Sequence, residues 1–558
     1  MPADLILYNG HIQTMVNEND VKSCVAISGN RIVYVGDDSY PEGLAGEATK
    51  IIDLNGSFVC PGFMDGHLHV PGNWIVSLYQ INLEGYSSNE EYLKVIKEFI
   101  DGHPEIETYY GQPFKMDAYL LADGSNPGPN KKDLDAICSD KPVILYDVSM
   151  HSVWVNSFVL NALNFTKDTP NPEGGIIYKD ENGEPTGYLI DNAMYPAIEM
   201  FPTLSVNEEI WEATFTAFQN EANSMGVTGI VDCVDPTFIS PYEYQLDHYR
   251  QWEKDNRLNL RIRPAYTPQP GEIPNDVINI VKEQIGKTTN LVRPGLVKLY
   301  GDGVLECGSG VMLEKYLDTA GYGEDWYGGN PLWDSDEFNN MVEKLDAEKL
   351  QVHVHVIGDK MFRLTVDAYE KALETNGFRD ARHTITHACV VHDDDIPRAS
   401  RLGIVCALQF LWMYKDCFYP TDVASIGEDL ALKMYPTRKM WDAGVVISGG
   451  SDNPVTPFDV INEIQVGVTR NSPYPGERDE DHFRTPEQAL TVYEMLSAYT
   501  KNVAYENFWE NDLGTVEVGK LADLTVLDRN ILEVEPRLIS DTKVLYTISD
   551  GRIVYSAD

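Results

Sequence analysis

From about residue 205 onward the chain repeats one unit: a short apolar run, a loop, then a stretch with helical periodicity. The runs are VTGIVDCVD, RPGLVKLYGDG (residues 293–303), LQVHVHVIGD, HTITHACVV, LGIVCALQF and VVISGGSDNPV. Between them, Ile210, Thr214, Ala217, Phe218 and Met225 share one helical face behind a capping box of Ser205 and Glu208, with Gly226 as the stop. Phe338, Met341, Val342 and Leu345 form a second such face, and MFRLTVDAYEKALETNG, closed by Gly377, and MYPTRKMWDAG read as further helices. Strands that alternate with helices form parallel sheets. The number of units predicts an eight-stranded α/β barrel of the (β/α)8, TIM-like class, in which chemistry sits at the carboxyl ends of the strands.

The two ends of the chain differ from this middle. DLILYNGHIQTM, CVAISGNRIVYVGDD and KIIDLNGSFVCPG are short strands separated by Asn-Gly and Gly-Asn turn signals, and GTVEVGKLADLTVLD and TKVLYTISDGRIVYSAD repeat that character at the other end. One small β-sandwich domain built from residues 1–58 and 513–558 is expected, with the barrel, residues 59–512, inserted into it. Residues 70–204 fit the alternation poorly. Their GSNPGPNKK and TPNPEGGIIYKDENGEPTG stretches predict an elaboration on the first barrel loops that holds some β structure and covers the site. Its aromatic residues Trp74, Tyr109, Tyr110, Trp154 and Tyr188 either pack that segment or meet an aromatic or bulky apolar group on a substrate.

The barrel opens with PGFMDGHLH, residues 61–69, which places His67 and His69 with one residue between them at the end of an apolar run. Alternate side chains on a strand point the same way, so both imidazoles aim at one point, a geometry suited to a metal ion. More candidates stand near the ends of later runs: Lys298, His355, His387 and Asp452. A lysine inside an apolar strand must lose its charge or find a partner. His353 shares the parity of His355 two residues deeper, and His383 that of His387 four residues deeper, so His353 and His383 are read as packed histidines and His355 and His387 as the ligands. His392 is assigned to a solvated loop. Asp452 is placed to meet a metal-bound water.

The 87 acidic against 43 basic side chains give a formal net charge of −44, which repels nucleic acid and anionic membrane because phosphate needs a basic footprint. No apolar run is long enough for a membrane span, and MPADLILYNG has neither a basic leader nor an apolar signal core, so a cytoplasmic location is expected. The eight cysteines are scattered without a CxxC, and reduced thiols are expected.

In combination, NGHIQTM, GNRIVYVG, PGFMDGHLH, MHSVWVNSFVLNA, PEGGIIYKDENGEPTGYL, VKLYGDG, HVIGD, THA, GSDNPV and LGTVEVGKLADLTVLD resemble the amidohydrolase superfamily over nearly the whole chain. Within it they resemble the YtcJ-like group that includes N-substituted formamide deformylases. The resemblance implies metal ligands at His67, His69, His355 and His387, with Asp452 as ligand and proton carrier. It also implies one or two divalent ions, zinc first with manganese or iron as alternatives, and a carboxylated Lys298 where two are held. His151, preceded here by Val148, Ser149 and Met150 where the group has Asp-Gly, and Gln409, followed here by Phe410 rather than proline, match substrate-contact positions.

The expected function is hydrolysis of a non-peptide carbon–nitrogen bond (amide, N-acyl or N-formyl) in a small molecule by attack of a metal-bound hydroxide, with Asp452 shuttling the proton. Deamination or ring opening of a cyclic amide is the alternative on the same ligands, a metal-dependent lyase or decarboxylase is another, and a metal-free scaffold or binding protein is the alternative from a different class. The resemblance also allows a homodimer.

Overall fold

The computed structural model describes residues 2–557 apart from 38–39, 41–42, 120, 122–125, 173, 203–206, 235–240, 321 and 324. Its centre is a sheet of eight parallel strands: β1 (Phe63–Leu68), β2 (Val227–Val234), β3 (Arg261–Tyr266), β4 (Leu296–Tyr300), β5 (Gln351–Val356), β6 (Thr384–His387), β7 (Val405–Leu408) and β8 (Val446–Gly449). Each pairs with the next in sequence, which is the barrel that the alternating pattern predicts. Just beyond the strand ends, β8 returns to β1, where Asp452 N–H donates to the His67 carbonyl (2.7 Å) and His69 N–H to that of Asn453 (2.9 Å). A Cβ at Gly450 would lie 2.6 Å from the His67 nitrogen, so only glycine allows the two chains to approach this closely.

Amphipathic helices cover the outside. Glu208–Ser224 buries Ile210, Trp211, Thr214, Phe215, Phe218 and Ala222, and its first turn is capped by Asn207, whose side chain accepts from Ile210 N–H (3.0 Å). The expected cap at Ser205 lies outside the described residues. Gly377, at φ +84°, ends Asp359–Asn376 as its position predicts. Among the described residues no helix is long and apolar enough to cross a membrane. The cysteines form no disulfide, and all but Cys417 are buried.

Strand β3 carries no signal that the apolar-run reading could detect, because Arg261 and Arg263 alternate within it. Both are buried with partners far away in the chain. Arg261 Nε donates to Asp523 Oδ2 (2.6 Å), while its Nη2 donates to Asp523 Oδ1 (3.0 Å) and Asp550 Oδ1 (2.9 Å). Arg263 Nη2 donates to Gln351 Oε1 (2.8 Å). The first pair ties the barrel floor to the terminal β structure. Asp523→Ala leaves the guanidinium without its bidentate partner in a dry site, and an unfolding free energy lower by about 3–5 kcal/mol is expected in urea titrations; a loss under about 1 kcal/mol would show that water replaces the carboxylate.

Both ends of the chain build the sandwich. Phe58–Pro61 pairs antiparallel with Leu524–Leu527, Val59 opposite Val526, in a six-stranded sheet that also holds His11–Gln13, Val21–Lys22, Val544–Ser549 and Arg552–Ser556. A four-stranded sheet of Leu5–Tyr8, Cys24–Ser28, Arg31–Gly36 and Lys50–Asp53 packs on it through Leu7, Val25, Ile27, Val59, Leu524 and Ile548. Because Phe58–Pro61 runs through Gly62 directly into β1, the sandwich anchors the strand that carries His67.

The segment after β1 is more ordered than its sequence suggests. It forms a six-stranded mixed sheet of Ile81–Asn82, Tyr109–Phe114, Val143–Asp147, Ser152–Val155, Pro185–Asp191 and Gly175–Lys179. Trp154, Tyr188 and Tyr109 are buried in apolar packing, and Trp74 Nε1–H donates to Glu221 Oε2 (2.7 Å). Of the five aromatic residues singled out above, only Tyr110 lines the cavity at the barrel mouth.

Candidate metal centre

That cavity opens over the carboxyl ends of the strands and is lined by His67, His69, Lys298, His355, His387 and Asp452, with His151 and Asp191 on the side of the mixed sheet. His67 Nε2 lies 3.1 Å and His69 Nε2 3.4 Å from Asp452 Oδ1. Donor atoms of His67, His387 and Asp452 lie within 4.8 Å of one another. The His387 ring is 4.5 Å from that of His355, centroid to centroid. Lys298 Nζ is 3.2 Å from His67 Nε2. Five strand ends thus bring together all six of the residues predicted to surround an ion.

Register explains part of this convergence. In the β4–β5 ladder Lys298 sits beside His353 and Tyr300 beside His355, so residues of one parity on adjacent strands occupy successive layers of the interior. His353 is indeed one layer down and fully buried, its ring nearly parallel to that of His67 (14°) at 5.0 Å. His383 pairs with Asp346 (3.1 Å) away from the centre, and His392 is exposed.

The backbone supplies the rest. His387 and Asp452 adopt positive φ, 69° and 56°, a region that non-glycine residues enter at a cost and that clusters at functional sites. The left-handed turn swings each side chain off its strand direction toward the centre. Across the cavity Met150 (φ 64°) and Asp191 (φ 47°) do the same for a second pair: His151 Nδ1 meets Asp191 Oδ1 at 2.8 Å, which leaves Nε2 for the cavity.

Charge states follow from burial and neighbours. Burial, reinforced by the Lys298 charge, holds His67 well below the usual imidazole range. His355 is likewise held down by burial and His387, and burial lowers His387 to about 3. All three are neutral lone-pair donors. Burial opposes the charge on Asp452, yet His387, His67 and His69 around it keep the carboxyl well below the usual carboxylate range. On His151 burial works against protonation, but the Asp191 hydrogen bond and charge outweigh it and raise the pKa.

The donor set fits a divalent cation. His387 Nδ1 faces Gln409 Oε1 at 2.8 Å, which puts the ring proton there and leaves Nε2 as a lone pair. Nitrogen lone pairs facing an ionised carboxylate in a dry pocket repel one another unless a cation sits among them. His69 Nδ1 is buried with no hydrogen-bond partner. Neutral imidazoles with one carboxylate suit zinc, and also manganese or iron.

One placement differs from expectation. Gln409 is 1% exposed and stands behind His387 rather than on the cavity wall; the strand end that carries it points its amide at the His387 ring, not at the opening. The structure also reveals participants that spacing could not, since Asp191 lies 40 residues from His151. Asp302, in the YGDG stretch, accepts from Val311, Ile357 and Gly358 N–H, each at 2.9 Å, and so fixes the loop that follows His355. Burial pushes its carboxyl up to about 7 despite these donors. Trp412 stacks on His387 at 5.2 Å and 12°.

Residues 50–555 match the amidohydrolase family. The chain is 28% identical over 552 residues to the putative amidohydrolase YtcJ of Bacillus subtilis (strain 168), covering 99% of both chains. It is 24% identical over 568 residues to the N-substituted formamide deformylase of Arthrobacter pascens, covering 99% of this chain and 98% of that one. Among solved structures, an uncharacterized metal-dependent hydrolase from Pyrococcus furiosus superposes with a TM-score of 0.67 at 26% identity, covering 95% of this chain and all of the other. With a matching barrel, terminal sandwich and converging donors, the chain belongs to the amidohydrolase family.

Proposed function

We propose that the protein is a metal-dependent hydrolase that cleaves a non-peptide carbon–nitrogen bond, an amide, N-acyl or N-formyl group, in a small molecule. The observation that carries this reading is the meeting of His67, His69, His387 and Asp452 around one point, with His355 beside them, at the base of a largely apolar cavity. His67, His69, His355, His387 and Asp452 would hold the ion, and Lys298, if carboxylated, a second one. When bound, a divalent cation supplies Lewis acidity: it lowers the pKa of water from 15.7 to about 7 and polarises a carbonyl.

The chain's own groups do the rest. Asp452, ionised and 6% exposed, is the base that takes a proton from the attacking water and returns it to the departing nitrogen, since an amine leaves poorly as an anion. Its left-handed backbone fixes the carboxylate between the ligands and the cavity. His151, oriented by Asp191, presents Nε2 toward the same space and would donate to the carbonyl oxygen as charge develops there. Tyr110, Tyr146, Met194 and Trp412 on the walls exclude water and favour an apolar or aromatic substituent.

The relatives in the same family support the reaction class, one of them being named a deformylase. A panel of N-formyl, N-acyl and cyclic amides incubated with zinc-, manganese- or iron-reconstituted protein tests it, with carboxylate and amine products followed by chromatography. Turnover of an open-chain amide is the expected result. Release of ammonia from an aminated heterocycle, with no amide cleaved, would move the protein to the deaminases.

A further inference from the structure

His353 contacts the ligand shell from below. Its Nε2 lies 3.0 Å from Nδ1 of His67, the nitrogen that faces away from the cavity. Both rings are fully buried. On the far side, His353 Nδ1 has no hydrogen-bond partner and stands 3.7 Å from Oε1 of Glu506. That carboxylate, also buried, is held by Thr384 Oγ1–H at 3.1 Å.

Proton placement along this line is constrained from its upper end. His67 Nε2 faces Asp452 and Lys298, and to give a lone pair there the ring must carry its single proton on Nδ1. Two groups can receive that proton: His353 Nε2 and the Cys233 sulfur at 3.2 Å. A thiol is a poor acceptor and an imidazole nitrogen a good one. Accepting at Nε2 obliges His353 to carry its own proton on Nδ1, toward Glu506.

We infer that His353 is a positioning residue that accepts the Nδ1 proton of His67 and so holds the opposite nitrogen as a lone-pair donor toward the cavity, with Glu506 orienting His353 in turn. It touches neither substrate nor reacting atoms. Such partners behind metal-bound imidazoles set tautomer and ring orientation, and their loss costs about 10–100-fold in metal affinity or activity. The inference rests on the reading of the site given above.

The test compares wild type with His353→Leu, which fills the space without an acceptor, and His353→Gln, which restores an acceptor oxygen. Zinc dissociation constants from chelator competition are expected to rise 10–100-fold in His353→Leu and to recover to within about 5-fold of wild type in His353→Gln, with the circular dichroism of both variants unchanged. Nitrogen-15 NMR of histidine-labelled, metal-free protein reads the tautomer separately: Asp452 competes for the proton at Nε2, and the Nδ1–H share of His67 is expected to be larger in wild type than in His353→Leu. Wild-type affinity and an unchanged tautomer in His353→Leu would overturn the inference. So would the loss of one whole ion per chain in both His353→Leu and Cys233→Ala, because His67, Cys233 and His353 would then be holding a metal of their own. If wild type binds no metal at all, the reading of the site fails, while the tautomer arm still decides the role of His353. Should His353→Leu fail to fold, Glu506→Gln, which keeps the shape and removes the charge that orients His353, is expected to shift the same tautomer signal; no shift would count against the relay.

Discussion

Asparagine in place of Asp452 is expected to retain most of the bound metal and to lower kcat by about 10²–10⁴-fold, the range that a positioned acid–base group contributes. The substitution keeps the shape of the side chain and one oxygen able to face His67 and His69, which lie 3.1 and 3.4 Å from the carboxylate. The four histidines proposed as ligands remain. What disappears is the negative charge, and with it the capacity to take a proton and give it back. An amide nitrogen expelled without a proton is too basic to leave, so the loss falls on kcat rather than on KM. Measuring kcat, KM and metal per chain on one preparation separates the outcomes. Unchanged turnover would rule out the proton path through Asp452, whereas loss of turnover together with loss of the metal would make the residue a ligand first and a base second.

The same residue illustrates what a sequence can and cannot disclose. That a carboxylate closes VVISGGSD at the end of an apolar run is readable from spacing, as is the shared parity of His353 and His355, because strand geometry has a period of two and needs no partner to be recognised. The left-handed backbone at Asp452 and His387 leaves no such trace, since neither residue type demands it. Strand β3 stayed hidden for a different reason. Arginines deny a strand its apolar signature unless their counter-ions are known, and Asp523 stands 262 residues beyond Arg261. The mixed sheet over the barrel mouth was legible only as scattered β structure, because glycine and proline interrupt Tyr109–Phe114 and Pro185–Asp191 while their pairing comes from strands on either side. Gln409 shows the opposite case. A motif position suggests contact with substrate, but the strand end turns the amide onto the Nδ1 side of His387, where it faces the ring of a proposed ligand.

Removing the metal is expected to abolish turnover, by at least about 10³-fold, and also to lower the melting temperature without unfolding the chain at 25 °C. The barrel and the terminal sandwich are packed from extensive clusters of aliphatic and aromatic side chains, so the fold has its own source of stability. The centre itself draws on that source: buried imidazoles held neutral against an ionised carboxylate gain from a cation that binds only the native state. At a free metal concentration 1,000 times the dissociation constant that gain is about 4.1 kcal/mol. Calorimetry before and after chelation, then after addition of one and two equivalents of zinc, reads the effect without any substrate. A plateau at one equivalent in wild type assigns Lys298 to a single-ion site. A plateau at two that falls to one in Lys298→Ala supports a carboxylated lysine held between two ions, because the variant removes that side chain alone. An unchanged melting temperature and no binding after metal-replete expression would overturn the metal-dependent reading, since the hydroxide it invokes at neutral pH is supplied by the ion.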